Sequence, residues 1–310
     1  MKVLLFCDPG IDDSLAIIYA LMHPDIELLG IVTSYGNVSK DQATVNAAYL
    51  AGLAGRYDIP VISGAEFPLS GENTVYYPEI HGSQGLGPIR PPGSVQGNYQ
   101  EFHYLYKIIE GNIQDLVIVD VGRSTSLAAA FNLNQSLMTK VKKISLMGGA
   151  FLVPGNVTPM AEANFHGDPI AANVVLKYAA EVVISPLNIT NSAIVTREIA
   201  NFIYNQSASP FKNLIPPVTD YYSAYYQKMN PGMKGAPIHD VIPFYQLMNP
   251  AFVLTKERKI TVLTCQEGRG TSEADLRSSS RNDGSKRFIG LQFDYRHFIS
   301  DFIKIMVNKV

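Results

Sequence analysis

Three aspartates stand within six positions near the start of the chain, in the segment Phe6-Cys7-Asp8-Pro9-Gly10-Ile11-Asp12-Asp13-Ser14. An apolar strand pattern ends at Asp8, the next two residues turn the chain, and Asp12 and Asp13 open a helix, so the carboxylates converge on one crevice. Like charges at this range repel one another and raise each other's pKa unless a divalent cation lies between them. Because every side-chain ligand offered is an oxygen, calcium or magnesium is favoured over zinc.

A purely structural role for part of this cluster is the main alternative. Asp12 and Asp13 would complement the N-terminal dipole of a helix, which is the commonest use of aspartates at that place. This role leaves Asp8, at the end of the strand, without an explanation. A phosphatase with an aspartyl nucleophile is disfavoured, because Phe6 stands two positions before Asp8 and no Asp-x-Asp pair exists there. No glycine-rich phosphate loop or basic cluster accompanies the aspartates either.

The elements that must position these residues alternate between strand and helix patterns, which predicts an α/β fold with a mainly parallel open sheet flanked by helices. The predicted strands are Val3–Phe6, Glu27–Val32, Leu116–Val119, Lys143–Met147 and Glu181–Ile184. The predicted crossover helices are Asp12–Met22, Lys40–Ala51, Ser126–Phe131 and Pro169–Tyr178. In such sheets ligands bind outside the carboxyl ends of the strands, so the residues that follow each strand are the expected site.

Three segments lack a clear period. Glu66–Gln100 is rich in Gly, Pro, Ser and Tyr, and Ser207–Gly235 is similar with additional methionines. Each is predicted to be a long loop that forms a lid or a wall of the site, or plain irregular surface. Gln266–Arg287 is polar and charged, as expected for an exposed connection between two strands. No repeat and no linker interrupts the chain, which indicates one domain over residues 1–310.

The composition is that of an ordinary globular protein and argues against several kinds of partner. Hydrophobic residues make up 46% of the 310 residues, charged residues make up 17%, and the formal net charge is −2. This charge gives no basic field for nucleic acid or for an anionic membrane surface. No stretch approaches the roughly 20 apolar residues of a spanning helix, and the opening apolar run is too short for a signal peptide. With only Cys7 and Cys265 present, a disulfide framework is not expected, and a cytoplasmic protein is.

Short motifs spread over most of the chain accompany the aspartate cluster. They are Asp8-Pro9-Gly10-Ile11-Asp12-Asp13, Gly36-Asn37-Val38, Pro60-Val61-Ile62-Ser63-Gly64-Ala65, His81-Gly82, Gly85-Leu86-Gly87, Met147-Gly148-Gly149, Glu162-Ala163-Asn164, Asp168-Pro169 and His239-Asp240. Any one of them is weak evidence, but their order and spacing together are specific. With these motifs the chain resembles the inosine-uridine preferring nucleoside hydrolases. The resemblance implies a nucleoside hydrolase-like sheet with a Rossmann-like core, and hydrolysis of the N-glycosidic bond of ribonucleosides to ribose and free nucleobase.

The resemblance also implies a bound calcium ion and the residues that hold it. The implied ligands are Asp8, Asp13, the backbone carbonyl of Thr125, and Asp240. In this interpretation the ion binds the ribose hydroxyls and activates a water molecule, and Asp8 is both a ligand and the general base. Calcium lowers the pKa of water only modestly, so a carboxylate still has to accept the proton.

Matches to the family's ribose contacts make up most of the implied substrate site. The implied contacts are Asp12, Asn37 and Asn164 for the 2′- and 3′-hydroxyls, Asn156 and Glu162 for the 5′-hydroxyl, and Met147 beside the ribose. Such a site disfavours deoxyribosides, because a missing hydroxyl leaves buried polar groups unpaired at about 1–3 kcal/mol each. Taken alone, Asn156 also fits a turn in Pro154-Gly155-Asn156, and Met147 also fits the core.

Two histidines are candidates for contact with the departing base. His239 directly precedes the implied ligand Asp240, and imidazole has a pKa range suited to a general acid, so His239 is the candidate proton donor. His81, on a glycine-rich loop, would contact the substrate, although a solvated loop histidine fits the sequence equally well.

Four tyrosines precede the His-Asp element at helical i, i+4 spacing. They are Tyr221 with Tyr225 and Tyr222 with Tyr226. Aromatic rings stack well on a nucleobase, so these residues would wall the base pocket. Alternatively, one pair lies in the core and the other at an interface.

Four positions depart from the family's pattern. Phe6 replaces an aspartate, Arg123 lies in Gly122-Arg123-Ser124-Thr125-Ser126 where Gly-Pro-Leu-Thr-Asn is common, Ala163 replaces a phenylalanine, and Asn188 replaces an aspartate. Every implied ligand is kept, whereas its surroundings change. Ala163 should open space near the base, which predicts a relaxed or unusual choice of leaving base.

The leading hypothesis is calcium-dependent hydrolysis of ribonucleosides by a homodimer or homotetramer, the assembly that the resemblance implies. A second hypothesis comes from a different class: a ribose- or nucleoside-binding protein that keeps the metal site but has lost catalysis through Phe6 and Arg123. Binding without turnover would identify that protein.

Overall fold

A nine-stranded sheet runs through the computed structural model of the chain, which describes residues 1–282 and 284–308. The strands are β1 Lys2–Cys7, β2 Glu27–Thr33, β3 Pro60–Ser63, β4 Asn98–Gln100, β5 Leu116–Asp120, β6 Lys143–Met147, β7 Val182–Ser185, β8 Ile194–Thr196, β9 Gly235–Pro237, β10 Val253–Glu257, β11 Thr261–Val262, β12 Ser272–Glu273 and β13 Arg287–Phe293.

Helices connect and cover these strands. They are α1 Ile11–Met22, α2 Lys40–Leu53, α3 Pro78–His81, α4 Tyr104–Asn112, α5 Thr125–Leu133, α6 Gln135–Met138, α7 Ala163–Gly167, α8 Pro169–Tyr178, α9 Leu187–Thr190, α10 Arg197–Gln206, α11 Ile215–Met229, α12 Ile242–Met248 and α13 Tyr295–Val307, with 3-10 turns at His239–Val241, Pro250–Phe252 and Gln266–Gly268.

The central sheet is mainly parallel. Its strand order is β10-β13-β7-β6-β5-β1-β2-β3-β4. Neighbouring strands in this sheet are parallel apart from β10 and β13, which pair antiparallel at one edge. The pairs β8–β9 and β11–β12 form separate small sheets. The prediction of an α/β fold with a mainly parallel open sheet flanked by helices is confirmed.

The central strands are apolar throughout because helices cover both faces of the sheet. In β1, Val3 and Leu5 pack into one buried cluster with α1, α12 and α13. Leu4 and Phe6 point to the other face and pack with α4, α5 and α8. This period of two explains why the strand pattern could be read from the sequence.

The strongly patterned elements were predictable to within two residues. The predicted strands correspond to β1, β2, β5, β6 and β7, and the predicted helices to α1, α2, α5 and α8. The pattern misses β3 and β4, which have only 4 and 3 residues and so carry little periodic signal.

The prediction of a loop for Ser207–Gly235 is wrong, because much of that segment is α11, Ile215–Met229. Prolines stand in its first turn, where a backbone N–H has no partner inside the helix. Ile215, Val218 and Tyr222 are buried at helical spacing. The helix is therefore stabilised by an apolar face that its proline-rich start conceals in the sequence.

The other two segments without a period are largely irregular. Glu66–Gln100 contains only the short elements α3 and β4. Gln266–Arg287 contains one 3-10 turn and β12, and its last residue begins β13. Residue 283 within this segment, and residues 309–310 of the predicted domain, lie outside the described residues. Within the described ranges, no helix is both long enough and apolar enough to cross a membrane.

The carboxyl ends of β1, β2, β5 and β6 lie side by side at one edge of the sheet. The register pairs Phe6 with Val32 and with Asp120, and Asp120 with Leu146. The segments that follow these strands therefore meet, and the first of them begins at Asp8. This edge is where the sequence predicts the site.

Candidate active site

The carboxylate of Asp13 holds the turn after β1. Its Oδ1 accepts the N–H of Asp8 at 3.0 Å, and its Oδ2 accepts the N–H of Gly10 at 3.1 Å. Asn37 Nδ2 donates to the same Oδ2 at 2.9 Å. Asp13 thus caps the start of α1, as the structural alternative expects, but these bonds also fix its carboxylate in a buried position.

Asp12, Asp13 and Asp240 form a buried acidic cluster. One carboxylate oxygen from each lies within 4.8 Å of the others. Oδ1 of Asp12 is buried and has no hydrogen-bond partner within the described part of the chain. The pKa of Asp12 is raised to about 7, mainly by burial and secondly by the charge of Asp13. Burial and the charges of Asp12 and Asp13 raise the pKa of Asp240 well above its usual range. Such an array fits a divalent cation that takes oxygen ligands.

Asp8 lies beside this cluster, in a tight backbone cradle. Its Oδ2 accepts the N–H of Asn37 at 2.6 Å. A Cβ on Gly36 would overlap Oδ2, and a Cβ on Gly122 would lie 2.8 Å from Oδ1. Burial raises the pKa of Asp8 well above its usual range, the charge of Asp13 raises it further, and the guanidinium of Arg123 opposes both. A carboxylate held in one orientation and with a raised pKa is suited to accept a proton.

A cavity of about 420 Å³ opens next to the cluster. The residues predicted by the sequence that line it are Asp12, Asn37, His81, Met147, Asn156, Glu162, Asn164, His239 and Asp240. Asp8 and Asp13 are bonded to Asn37 in its wall. The structure therefore brings the predicted substrate residues and the acidic cluster to one place.

Asn164 is held at the cavity by the carbonyls of two strand ends. Its Nδ2 donates to the carbonyl of Val121 at 2.9 Å and to that of Met147 at 3.2 Å. The Met147 sulfur is 3.4 Å from the same nitrogen. The amide oxygen of Asn164 is left to face other partners, as a contact to a sugar hydroxyl requires.

Glu162 and Asn156 are fixed by the start of α7. Glu162 caps this helix and accepts three backbone N–H bonds, from Gly149, Asn164 and Phe165, at 2.7–3.1 Å. Oδ1 of Asn156 accepts the N–H of Ala163 at 2.9 Å. Asn156 therefore does more than form a turn, because it is bonded to the segment that carries Glu162.

His81 is a neutral hydrogen-bonding group. Its Nδ1 accepts the N–H of Ile11 at 3.1 Å, which requires that nitrogen to be unprotonated. Burial lowers the pKa of His81 to about 3, so its 3.9 Å approach to Oδ1 of Asp12 is not an ion pair. The proton of the neutral ring is on Nε2, and His81 offers the cavity a hydrogen-bond donor.

His239 is bonded through both ring nitrogens. Nδ1 lies 2.8 Å from Oγ1 of Thr190, and Nε2 lies 3.1 Å from the hydroxyl of Tyr226. Burial lowers the pKa of His239 to about 4. The expectation of an ordinary imidazole pKa does not take this burial into account. With a pKa of about 4 the ring is neutral near pH 7, and its Nε2 lies against the hydroxyl of Tyr226.

Three of the four tyrosines in α11 form a wall of the cavity. Tyr222, Tyr225 and Tyr226 line it. The ring of Tyr226 stands edge-on to those of Tyr222 and Tyr225, with centroids 5.0 and 5.7 Å apart. Tyr221 points elsewhere and packs against Gly87. The wall interpretation therefore holds for three of them.

Thr125, whose carbonyl is the implied backbone ligand, is not among the residues that line the cavity. Thr125 is the first residue of α5, so its carbonyl takes part in the helix, and its hydroxyl donates to Oδ2 of Asp168 at 2.7 Å. Val121, at the exit of β5, lines the cavity instead, and its carbonyl accepts the bond from Asn164. A backbone carbonyl leaves no side-chain signal in the sequence, so no motif indicates Val121.

Helix α3 and Tyr77, the residue before it, also contribute to the wall. Tyr77 and Ile80 line the cavity together with His81. The sequence predicts a lid or wall for Glu66–Gln100 without identifying these residues. The tyrosine close before the histidine is the only local signal that could have indicated them.

Comparison with known proteins agrees with this site. The sequence profile of the family described as "Inosine-uridine preferring nucleoside hydrolase" matches residues 3–300. Uridine nucleosidase 1 of Arabidopsis thaliana is 35% identical over 265 residues, which cover 85% of this chain and 78% of that protein. The pyrimidine-specific ribonucleoside hydrolase RihA of Escherichia coli O127:H6 is 33% identical over 266 residues, which cover 85% of each protein.

Solved structures agree over nearly the whole chain. A purine-preferring ribonucleoside hydrolase from Gardnerella vaginalis matches with a TM-score of 0.90 at 28% identity. The match covers 99% of this chain and 98% of that protein. A plant nucleoside hydrolase, PpNRh1, also has a TM-score of 0.90 at 28% identity, with 99% of both chains covered.

Proposed function

The chain belongs to the inosine-uridine preferring nucleoside hydrolase family and hydrolyses ribonucleosides, and we propose that it does so with a bound calcium ion and with Asp8 as the general base. The observation that carries this proposal is the acidic cluster at the cavity, with the unpartnered oxygen of Asp12. A buried carboxylate oxygen without a partner is costly unless a cation or a donor reaches it.

The acidic cluster is the proposed metal site of this metal-dependent family. Asp8, Asp13 and Asp240 would hold the ion, Asp12 has an oxygen in the same group, and the carbonyl of Val121 replaces that of Thr125 as the proposed backbone ligand. Calcium fits better than magnesium because it accepts six to eight oxygens in irregular geometry. A bound calcium ion would supply positions for water and for the ribose diol, and would lower the pKa of water modestly.

Asp8 would take a proton from the attacking water. The water oxygen forms a bond to the anomeric carbon of ribose, and the bond from that carbon to the base nitrogen breaks with its electron pair going to the base. Asn37 and Asn164 would bind the ribose hydroxyls, and Asn156 and Glu162 the 5′-hydroxyl. Met147 would pack beside the sugar. The products are ribose and a free nucleobase.

Proton transfer to the departing base is proposed for the pair of His239 and Tyr226. The neutral imidazole and the tyrosine hydroxyl share a hydrogen bond of 3.1 Å and both line the cavity. A neutral pair donates a hydrogen bond as negative charge develops on the base and can transfer a proton in concert with bond cleavage. His81 would donate its Nε2–H to the substrate.

Pyrimidine ribonucleosides, uridine among them, are the proposed preferred substrates. This follows the names of Arabidopsis uridine nucleosidase 1 and of RihA, which are more than 30% identical to this chain. Ala163 lines the cavity as a small side chain, which supports the hypothesis that larger bases are also accepted. A panel of purine and pyrimidine ribonucleosides tests both points, and strict preference for one base would contradict the relaxed choice.

The oligomeric state and the cellular compartment of the protein are also proposed. We propose a homodimer or homotetramer in the cytoplasm; the unpaired Cys7 and Cys265 support a reducing compartment. Light scattering of the purified protein tests the assembly, and a monomer at micromolar concentration would contradict it.

Reducing sugar released from uridine and inosine tests the reaction. We expect turnover in calcium, loss of turnover in chelator and recovery when calcium is restored. Asp8→Asn should lose at least about a thousandfold in kcat, because it removes the general base. Calcium-loaded protein that releases no sugar from any ribonucleoside would overturn the proposal. Such protein, if it still bound uridine, would fit the non-catalytic binding protein, which the hydrolase relatives do not favour.

A further inference from the structure

Arg123 is a buried cation in the turn between β5 and α5. Its side chain is close to Asp8 and Glu162, and the residue is only 6% exposed. Burying a guanidinium is unfavourable unless its N–H groups are bonded and its charge is offset. Its contacts therefore show which parts of the molecule it stabilises.

The guanidinium joins two segments that are far apart in the sequence. Nη2 donates to the carbonyl of Gly36 at 2.9 Å and to that of Val75 at 2.8 Å. The plane lies over two aromatic rings, with Cζ 5.1 Å from the centroid of Tyr35 and 5.9 Å from that of Tyr77. Two carbonyls and two ring faces need a flat group with several donors, which lysine does not provide.

One of these segments holds the proposed general base. Gly36 directly precedes Asn37, whose N–H is bonded to Asp8 at 2.6 Å. Asp8 makes this bond and lies against Gly36 and Gly122, and none of these contacts involves the side chain of Arg123. Its orientation is therefore determined by several groups, of which Arg123 is one.

The other segment is the cavity wall. Val75 stands two residues before Tyr77, whose N–H donates to the carbonyl of Asn37 at 3.3 Å. Tyr77 leads into α3, which ends at His81. Residues 73–77 all lie within the described ranges. The bond from Arg123 to the carbonyl of Val75 is the only hydrogen bond found for these described residues that involves a side chain. Arg123 is therefore one of the groups that hold the wall, together with the bonds from the Tyr77 N–H to Asn37 and from the Ile11 N–H to His81.

We propose that Arg123 is a positioning residue for ribonucleoside binding, which sets the wall carrying Tyr77 and His81 at a fixed distance from the acidic cluster. This inference rests on the proposal that the cavity holds the nucleoside. Because the wall contacts substrate in both the ground state and the transition state, its loss should weaken binding and change the chemical step little.

Arg123→Leu and Arg123→Lys test the inference by steady-state kinetics with uridine in saturating calcium. We expect KM to rise about tenfold in Arg123→Leu, since a charge-assisted bond to the wall is lost. The chemical step is compared in Arg123→Lys, which keeps the positive charge near Asp8 and should keep kcat within about threefold of the parent value. Arg123→Lys keeps the charge and one possible bond, so its KM should fall between that of Arg123→Leu and the parent value. Unchanged KM in both variants, or loss of kcat at constant KM, overturns the inference.

Arg269→Leu is the matched control. Arg269 holds an earlier part of the same loop through Glu72 at 2.9 Å, and it bonds to the carbonyl of His166 at 2.9 Å, but it does not line the cavity. We expect KM within about twofold of the parent value. An equal rise of KM in Arg269→Leu would show that any loosening of the loop suffices and would overturn a specific role for Arg123.

A binding measurement separates this inference from the proposed function. In the Asp8→Asn background, the uridine Kd by calorimetry should rise about tenfold when Arg123→Leu is added and by a smaller factor when Arg123→Lys is added, and this measurement does not require turnover. If Arg123→Leu does not fold, Arg123→Lys decides. Parent protein that neither hydrolyses nor binds uridine would contradict the proposed function, whereas normal parent binding with no change in the variants would contradict only the role of Arg123.

Discussion

Phe6 and Asp120 are register partners on the neighbouring parallel strands β1 and β5, and both are buried to 1% exposure. An apolar ring thus stands next to a carboxylate. Oδ1 of Asp120 accepts the N–H of Gly122 at 3.2 Å, whereas its Oδ2 has no hydrogen-bond partner in the part of the chain that the structure describes. The aspartate that the family pattern places at position 6 is absent, but an acidic group remains in the neighbouring strand at the same level.

Asp120→Asn should stabilise the protein more at pH 8 than at pH 5. Burial raises the pKa of Asp120 from 3.8 to about 7. Between pH 3.8 and about pH 7 the folded chain binds more protons than the unfolded chain. The free energy of unfolding of the wild type therefore falls as the pH rises, and this fall is complete above about pH 7. Asparagine does not titrate, so the variant avoids a loss of at most about 4 kcal/mol.

Urea unfolding in chelator at the two pH values measures this difference. Asp41→Asn is the control, because the side chain of Asp41 is 90% exposed and its substitution should give no comparable pH-dependent gain. A gain for Asp120→Asn that is equal at both pH values would contradict a titration of Asp120.

Calcium affinity should increase with pH between about 5.5 and 8. Burial and mutual repulsion raise the pKa of Asp12 to about 7 and that of Asp240 well above its usual range, so the metal-free cluster holds protons near neutrality. Ligands must lose these protons to bind a cation, so binding releases protons and weakens as pH falls. Calorimetry in two buffers with different ionisation enthalpies measures both effects. An affinity that is constant over this range, with no proton release, would show that the cluster is already ionised.

His239→Ala should lower kcat for uridine by about 10²–10⁴-fold, because proton transfer to the leaving base is lost. Tyr226→Phe should lower kcat for uridine by about tenfold or more for the same reason. The effect should nearly disappear with a riboside whose leaving group needs no proton, such as p-nitrophenolate. Steady-state rates with both substrates measure the contrast. Equal losses with both substrates would mean that the pair positions the sugar instead of assisting the leaving group.

Gly36→Ala should reduce kcat by about a hundredfold or more. A Cβ at this position would overlap Oδ2 of Asp8, so the carboxylate would have to turn away from its place beside the cluster. Gly93→Ala is the control, since no heavy atom lies within 4 Å of its Cβ position. Kinetics and thermal unfolding of both variants measure the effect. Full activity in Gly36→Ala would mean that Asp8 has room to move without loss of function.

The parts of the fold and site that could be predicted are those with a local signal. The period of two in β1 and the run Asp8 to Asp13 are contiguous in the sequence, so both the strand and its acidic exit were readable. Family motifs then supplied distant residues such as Asn164 and His239, which no local pattern connects.

The parts that could not be predicted depend on tertiary contacts. Val121 lines the cavity and its carbonyl accepts a bond from Asn164, but a backbone carbonyl has no signature in the sequence, and the resemblance implied the backbone carbonyl of Thr125, four positions away. The pKa of His239 is lowered to about 4 by burial that only the packed structure reveals. Arg123 departs from the family pattern in the turn after β5. Its contacts could not be predicted from the sequence, because its bonds to Gly36 and Val75 span 87 and 48 residues.

The carboxylate of Asp13 has three donors within the chain, and they bear on the cost of filling the acidic cluster. The N–H groups of Asp8 and Gly10 and the amide of Asn37 bond to it and fix its orientation. A divalent cation that enters the cluster would therefore meet a ligand that hydrogen bonds hold in place, so little conformational entropy of this side chain remains to be lost when the cation binds.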